Sequence, residues 1–196
     1  RDLKPVHWSI ENRTALAEAE LEYYDREDTS VFVLFNVPDP SVLPAALNVP
    51  DGATVDLMIW TTTPWTLPAN LAVAVAAGAD YGLFEVERPD GVHHVVVADG
   101  MQEAVLGTDA NPVGRAKGAD LVDGTGLVHT APGHGADDYH TGMKHGLDIY
   151  CPVQGDGTFD ATAPEWLQGL DVWAANPVVV ERLRESGHLF RDEQLT

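Results

Sequence analysis

The chain has little cysteine and few cations. Its one cysteine, Cys151, rules out an internal disulfide framework and a cysteine-built zinc site, and it fits a reducing cytoplasm. Only 11 Lys and Arg stand against 31 Asp and Glu, a formal net charge of −20. Phosphate contacts need cations, so this balance argues against an autonomous nucleic-acid binder. A domain whose nucleic-acid affinity is supplied elsewhere in a larger protein stays open. The acids are scattered rather than blocked, which reads as a solvated surface suited to a salty cytoplasm. No stretch approaches the roughly 18 apolar residues of a membrane span. The N-terminus, Arg1-Asp2-Leu3-Lys4-Pro5, lacks the apolar core of a secretory signal. A cytoplasmic location and no membrane partner are therefore expected. There are no internal repeats, and Gly124-x-Gly126 opens a strand rather than a phosphate-binding helix.

What is present is a series of short β-prone runs. Strands are expected at 31–35, 55–60, 70–76, 81–87, 93–98 and 126–130, with Asp90-Gly91 as a hairpin turn. Residues 14–24 are helix-capable at first, then alternate at period two and read as an extended connector. A short helix is expected at 100–106, and a loop or irregular strand at 107–123. Ala136 to His145 reads as a helix closed by Gly146, and Pro177 to Ser186 as another, with Pro at its start and Gly187 at its end. The sum is an α+β chain, a curled or barrel-like sheet with a few peripheral short helices.

Two clusters carry the chemistry. The first is Thr61-Thr62-Thr63, following Val55–Trp60 and leading into Pro64-Trp65-Thr66-Leu67-Pro68-Ala69-Asn70. Hydroxyls at a strand end, fixed by two prolines and walled by Trp60 and Trp65, suit a pocket that grips by hydrogen bonds. They also suit a plain β-prone turn. The second runs from Gly124 through His129, Thr130 and the bend Pro132-Gly133-His134-Gly135 to Asp137, Asp138 and Tyr139. It reads as strand, glycine bend, helix start. Backbone amides at such a bend hold anions, and an ionised Asp at a helix start can receive an ammonium group. Asp137 and Asp138 can equally be partners of the helix dipole alone. His129, His134, His140 and His145 match no common zinc spacing, so no metal is expected, and His140 and His145 read as surface residues. A serine-type triad lacks its G-x-S-x-G elbow. Cys151 reads as a buried structural thiol.

Together, in this order, the two clusters resemble the signature segments of the editing domain of isoleucyl-tRNA synthetase, a class I aminoacyl-tRNA synthetase. Lys4-Pro5-Val6-His7-Trp8-Ser9, Thr14 to Tyr23, and the stretch from Gly146 to Leu189 extend the likeness over nearly the whole chain. The valyl and leucyl siblings carry Arg in the threonine segment; Thr63 here favours the isoleucyl member.

The resemblance implies one editing domain over 1–196, with 1–25 and 188–196 as connectors to a missing catalytic core. It implies post-transfer hydrolysis of the ester bond of mischarged Val-tRNA(Ile), with isoleucine excluded by size. Asp138 would bind the α-ammonium of the substrate. Thr61, Thr62 and Thr63 would hold the terminal adenosine or the attacking water. Asn70 would contact the substrate or fix the threonine loop, and His129 would be the wall that isoleucine's extra methyl meets. Thr66 would stand behind these as a second hydroxyl. Trp60 and Trp65 would line the site or simply pack as scaffold. The partners implied are the 3′-end of tRNA(Ile) carrying valine and the rest of the synthetase, with the domain itself a monomer. No cofactor is implied in this domain; ATP and Mg belong to the parent's synthetic site. With no initiator Met, an excised domain is expected. The alternatives are the editing domain of a valyl or leucyl sibling, an autonomous deacylase, or a degenerate editing fold that only binds.

Overall fold

The structure is a computed structural model that describes residues 5–107, 110–121 and 128–195. The expected Gly124–Leu127 part of the second cluster, and Lys4, lie outside these residues. In chain order the strands are β1 (Trp8–Ser9), β2 (Thr14–Ala15), β3 (Asp28–Asn36), β4 (Val55–Thr61), β5 (Ala72–Ala74), β6 (Asp80–Arg88), β7 (Gly91–Ala98), β8 (Gly114–Lys117), β9 (Val128–Thr130) and β10 (Leu189–Leu195). The α-helices are α1 (Gln102–Leu106), α2 (Gly118–Leu121), α3 (Ala136–His145) and α4 (Val172–Glu185). The chain is α+β, with a mixed six-stranded sheet in the order β10-β3-β4-β7-β6-β8.

The chain divides into two compact units. Phe32–Trp60 and Val73–Val128 make one; Arg1–Val31, Thr61–Ala72 and His129–Thr196 make the other. In the first, β4 runs parallel to β7 with Leu57 beside Val96, and β6 runs antiparallel to both β7 and β8. Alternate apolar residues of these strands close a core around Leu57, Leu83, Val96 and Tyr81, with Leu47 from the preceding loop. The β6–β7 hairpin forms as expected, one residue earlier: Arg88 pairs with Gly91, so Pro89 and Asp90 make the turn. Gly91 takes φ 134 as the first residue of β7, a value that side chains resist.

The second unit is built on a smaller core of Phe159, Leu167, Val172, Ala175 and Val179, against which Trp65 and Leu67 pack. Helix α4 begins five residues earlier than its proline suggests. The Asp171 carboxylate caps it, accepting from the N–H groups of Trp173 and Ala174, both at 2.9 Å. Pro177 sits inside the helix, where Val172, Ala175, Val179 and Val180 are buried on its inner face. Helix α3 forms over its expected span and ends at Gly146, with φ 68. The tract expected as a strand at 70–76 shortens to β5, because Pro64–Ala69 winds into a 3₁₀ helix that ends at Asn70. Where a loop or irregular strand was expected at 107–123, the described residues hold β8 and the short α2, and the tract expected as the second connector carries β10. Residues 21–27 carry no regular secondary structure, and Leu21, the first of them, is extended with φ −81 and ψ 131.

Candidate functional site

The threonine turn is pinned from below. The N–H of Trp65 donates to the Asn176 side-chain oxygen on α4 at 3.0 Å, and the Trp65 and Leu67 side chains enter the small core. This anchorage leaves the polar residues of the turn facing one another. Thr61 Oγ1 accepts from the Thr63 N–H at 3.1 Å and lies 3.2 Å from Thr63 Oγ1. Thr63 Oγ1 lies 3.5 Å from Thr66 Oγ1. Thr66 Oγ1 in turn lies 2.9 Å from His129 Nε2 and 2.8 Å from the Thr63 carbonyl. On its other side, His129 Nδ1 lies 2.6 Å from Asn70 Oδ1, and the same oxygen accepts from the Thr130 N–H at 3.1 Å. The Leu71 N–H donates to the Thr130 carbonyl at 3.0 Å, holding the turn against the strand that carries His129.

The structure therefore brings Thr61, Thr63, Thr66, Asn70 and His129 into one hydrogen-bonded chain. Thr62 is exposed and stands outside it. Trp60 belongs to the other unit, is 44% exposed, and packs on Phe32. Asp138 is the third residue of α3, and its carboxylate accepts from the N–H of Ala131, two residues beyond His129. It folds back over Gly135, where an added Cβ would lie 2.9 Å from its oxygen.

Burial dominates the electrostatics. It lowers His129 to about 4, with the charge of nearby His134 adding to the effect, and lowers His134 to about 4 as well. Both rings are neutral at pH 7. Burial also raises the Asp138 carboxyl above its ordinary value, opposed by the Ala131 N–H and reinforced by Asp137. The helix start does not fully offset the lost hydration. An arriving ammonium group would shift this balance back toward the carboxylate.

Two participants carry weak signals in the sequence. Thr66 is the hub of the cluster, yet a threonine three residues beyond Thr63 looks like any turn residue. His134 stands edge-on to Trp65 with ring centroids 5.2 Å apart; only its place in the glycine bend hints at this. Both rings line an apolar groove of about 740 Å³, together with Trp8, Val172 and Trp173. Cys151 also lines the groove and is exposed, contrary to the buried thiol expected. Its sulfur lies 3.8 Å from the Val153 carbonyl oxygen. Among the described residues no three His, Cys, Asp or Glu side chains are grouped to hold a metal ion.

The fold is that of a synthetase editing insertion. The crystal structure of GlLeuRS-CP1, a leucyl-tRNA synthetase CP1 domain, superposes with a TM-score of 0.61 at 13% identity, over 86% of this chain and all of that one. In sequence, the whole chain is 41% identical to part of the isoleucine–tRNA ligase of Nitratidesulfovibrio vulgaris Miyazaki F, and to that of strain DP4. It spans 23% of the length of these relatives. No family model matches. The chain belongs with the editing domains of class I aminoacyl-tRNA synthetases.

Proposed function

We propose that the chain is the post-transfer editing domain of an isoleucyl-tRNA synthetase. It hydrolyses the ester bond of Val-tRNA(Ile) and excludes isoleucine by size. The observation that carries this reading is the single hydrogen-bonded chain from Thr61 to Asn70, closed by a half-buried neutral imidazole. One methylene is worth only about 1–3 kcal/mol to a binding site, and the isoleucine–valine pair is the standard illustration of that limit. A second, smaller site is the remedy. Asp138 receives the α-ammonium, the threonines hold the adenosine end and the water, and His129 walls the side-chain pocket.

His129 is a weak base here, and both its nitrogens already have partners. The proposed catalysis therefore rests on an ordered water and on a ribose hydroxyl of the substrate. Removing the free 2′- or 3′-hydroxyl of the terminal adenosine should slow deacylation sharply. Unchanged rates with both analogues would refute the ribose contribution. With a net charge of −20, the domain draws most of its tRNA affinity from the rest of the synthetase. ATP and Mg act in the synthetic site of that larger enzyme.

A further inference from the structure

We infer that Asn70 fixes the tautomer of His129 and thereby the direction of every hydroxyl in the chain, leaving Thr61 Oγ1 with an open lone pair for the attacking water. The water's place rests on the proposed hydrolytic function; the tautomer and the hydroxyl directions do not.

The argument begins at Asn70. Its Oδ1 is identified by the Thr130 N–H, a donor that only an oxygen can accept. That oxygen also lies 2.6 Å from His129 Nδ1, so the ring must carry its proton there. A neutral ring protonated at Nδ1 has a bare lone pair on Nε2. The group that reaches it is the Thr66 hydroxyl, at 2.9 Å. Thr66 has one proton and three acceptors in range: Nε2, the Thr63 carbonyl at 2.8 Å and, across a longer 3.5 Å, the exposed Thr63 Oγ1 that water can also serve. The carbonyl already receives the Thr66 N–H at 3.0 Å, whereas among the described residues the Thr66 hydroxyl is the donor that reaches the half-buried ring nitrogen. Satisfying the otherwise empty acceptor wins, because an unmet buried acceptor costs more than a second bond to a met one gains.

The remaining directions follow. With its proton committed to His129, Thr66 Oγ1 can only accept from Thr63, across the longest link at 3.5 Å. Thr63 Oγ1 then accepts from Thr61 at 3.2 Å. Thr61 Oγ1 accepts the Thr63 N–H and, among the described residues, keeps one lone pair unused, at the exposed end of the chain. A water donating into that lone pair has its own oxygen lone pairs turned away, toward an ester. With the opposite tautomer the Thr66 proton would turn away from the ring, to the Thr63 carbonyl or to Thr63 Oγ1, and the ring would no longer set the directions of the Thr63 and Thr61 hydroxyls. Asn70 is thus a positioning residue.

Neutron diffraction from perdeuterated crystals of the chain reads these directions, and imidazole ¹⁵N spectra follow the tautomer in variants. Deuterium is expected on His129 Nδ1, with the Thr66, Thr63 and Thr61 deuterons pointing successively toward the ring. The Nδ1-protonated form should exceed the other by about tenfold. Asn70→Ala should move the proton to Nε2, and Asn70→Asp, which keeps the acceptor, should hold it at Nδ1. Deuterium on Nε2 in the unaltered chain, or an outward-pointing Thr61 deuteron, would overturn the proposal. So would an unchanged tautomer in Asn70→Ala. Failure of the chain to deacylate Val-tRNA would overturn the function and the water's place, and leave the measured directions standing.

Discussion

His129 and His134 are kept neutral by burial, and this has a consequence for stability. The unfolded chain takes up protons on both rings as pH falls from 6.5 to about 4, and the folded chain does not. Their contribution is complete above 6.5 and is lost progressively as pH falls toward 4. Asp138 acts in the opposite sense: its raised carboxyl contributes below the ordinary 3.8 and loses that contribution as pH rises through its folded value. Two histidines outweigh one carboxyl, so the urea midpoint should climb from about pH 4.5 to 6.5 and then level. His134→Gln should remove about half of the climb. A midpoint that is flat or falling over this range contradicts the account. For function, Asp138→Ala should abolish Val-tRNA hydrolysis with the far-ultraviolet circular dichroism unchanged; retained hydrolysis would place the ammonium elsewhere. The residue types at Thr61–Thr63, His129 and Asp138 advertise polar recognition in the sequence. Their connections through Thr66 do not, because a hydroxyl's partners are set by the fold around it. Nor does the exposure of Cys151, since the thiol itself is equally at home in a core.

At the level of elements, the site depends on two bends held at close quarters. The bend before α3 passes so near residues 150–151 that a Cβ on Gly133 would lie 2.3 Å from the Tyr150 carbonyl oxygen and 2.7 Å from Cys151 Cβ. Backbone cannot yield as a side chain tip can. Gly133→Ala should cost about 1–3 kcal/mol by denaturant unfolding, and it should slow hydrolysis by moving His129 and Asp138 apart. A variant of unchanged stability would show that the bend adapts. The strands at 31–35, 55–60, 81–87 and 93–98 were legible because short β-prone apolar runs bounded by turn residues, among them a Pro-Asp-Gly turn, leave few other choices. Helix α4 misled because Pro177 looks like a helix start; the Asp171 cap and the burial of Val172 and Ala175 set the true one. The 3₁₀ turn at Pro64–Ala69 was equally hidden, since its anchor, Asn176, lies 111 positions away from Trp65.

For the whole molecule, charge is the dominant property. A net −20 on 196 residues repels itself at low ionic strength. The ion pairs present, such as Lys117–Asp80 and Arg182–Glu185, are exposed and contribute little each. Raising KCl from about 0.1 to 1 M shortens the screening length from roughly 10 to 3 Å. The melting temperature should therefore rise with salt; a fall would mean that these ion pairs outweigh the repulsion. Fold class was open to reading at this scale, while the division into two units was not, because each unit is assembled from segments distant in sequence.

The central claim is selective hydrolysis, and the rates at which the purified chain deacylates Val-tRNA(Ile) and Ile-tRNA(Ile) test it most directly. The account predicts rapid loss of valine and at least about tenfold slower loss of isoleucine, with His129→Ala bringing the two rates together. Equal rates on both substrates in the unaltered chain, or no hydrolysis of either even when the rest of the synthetase is present, would contradict it.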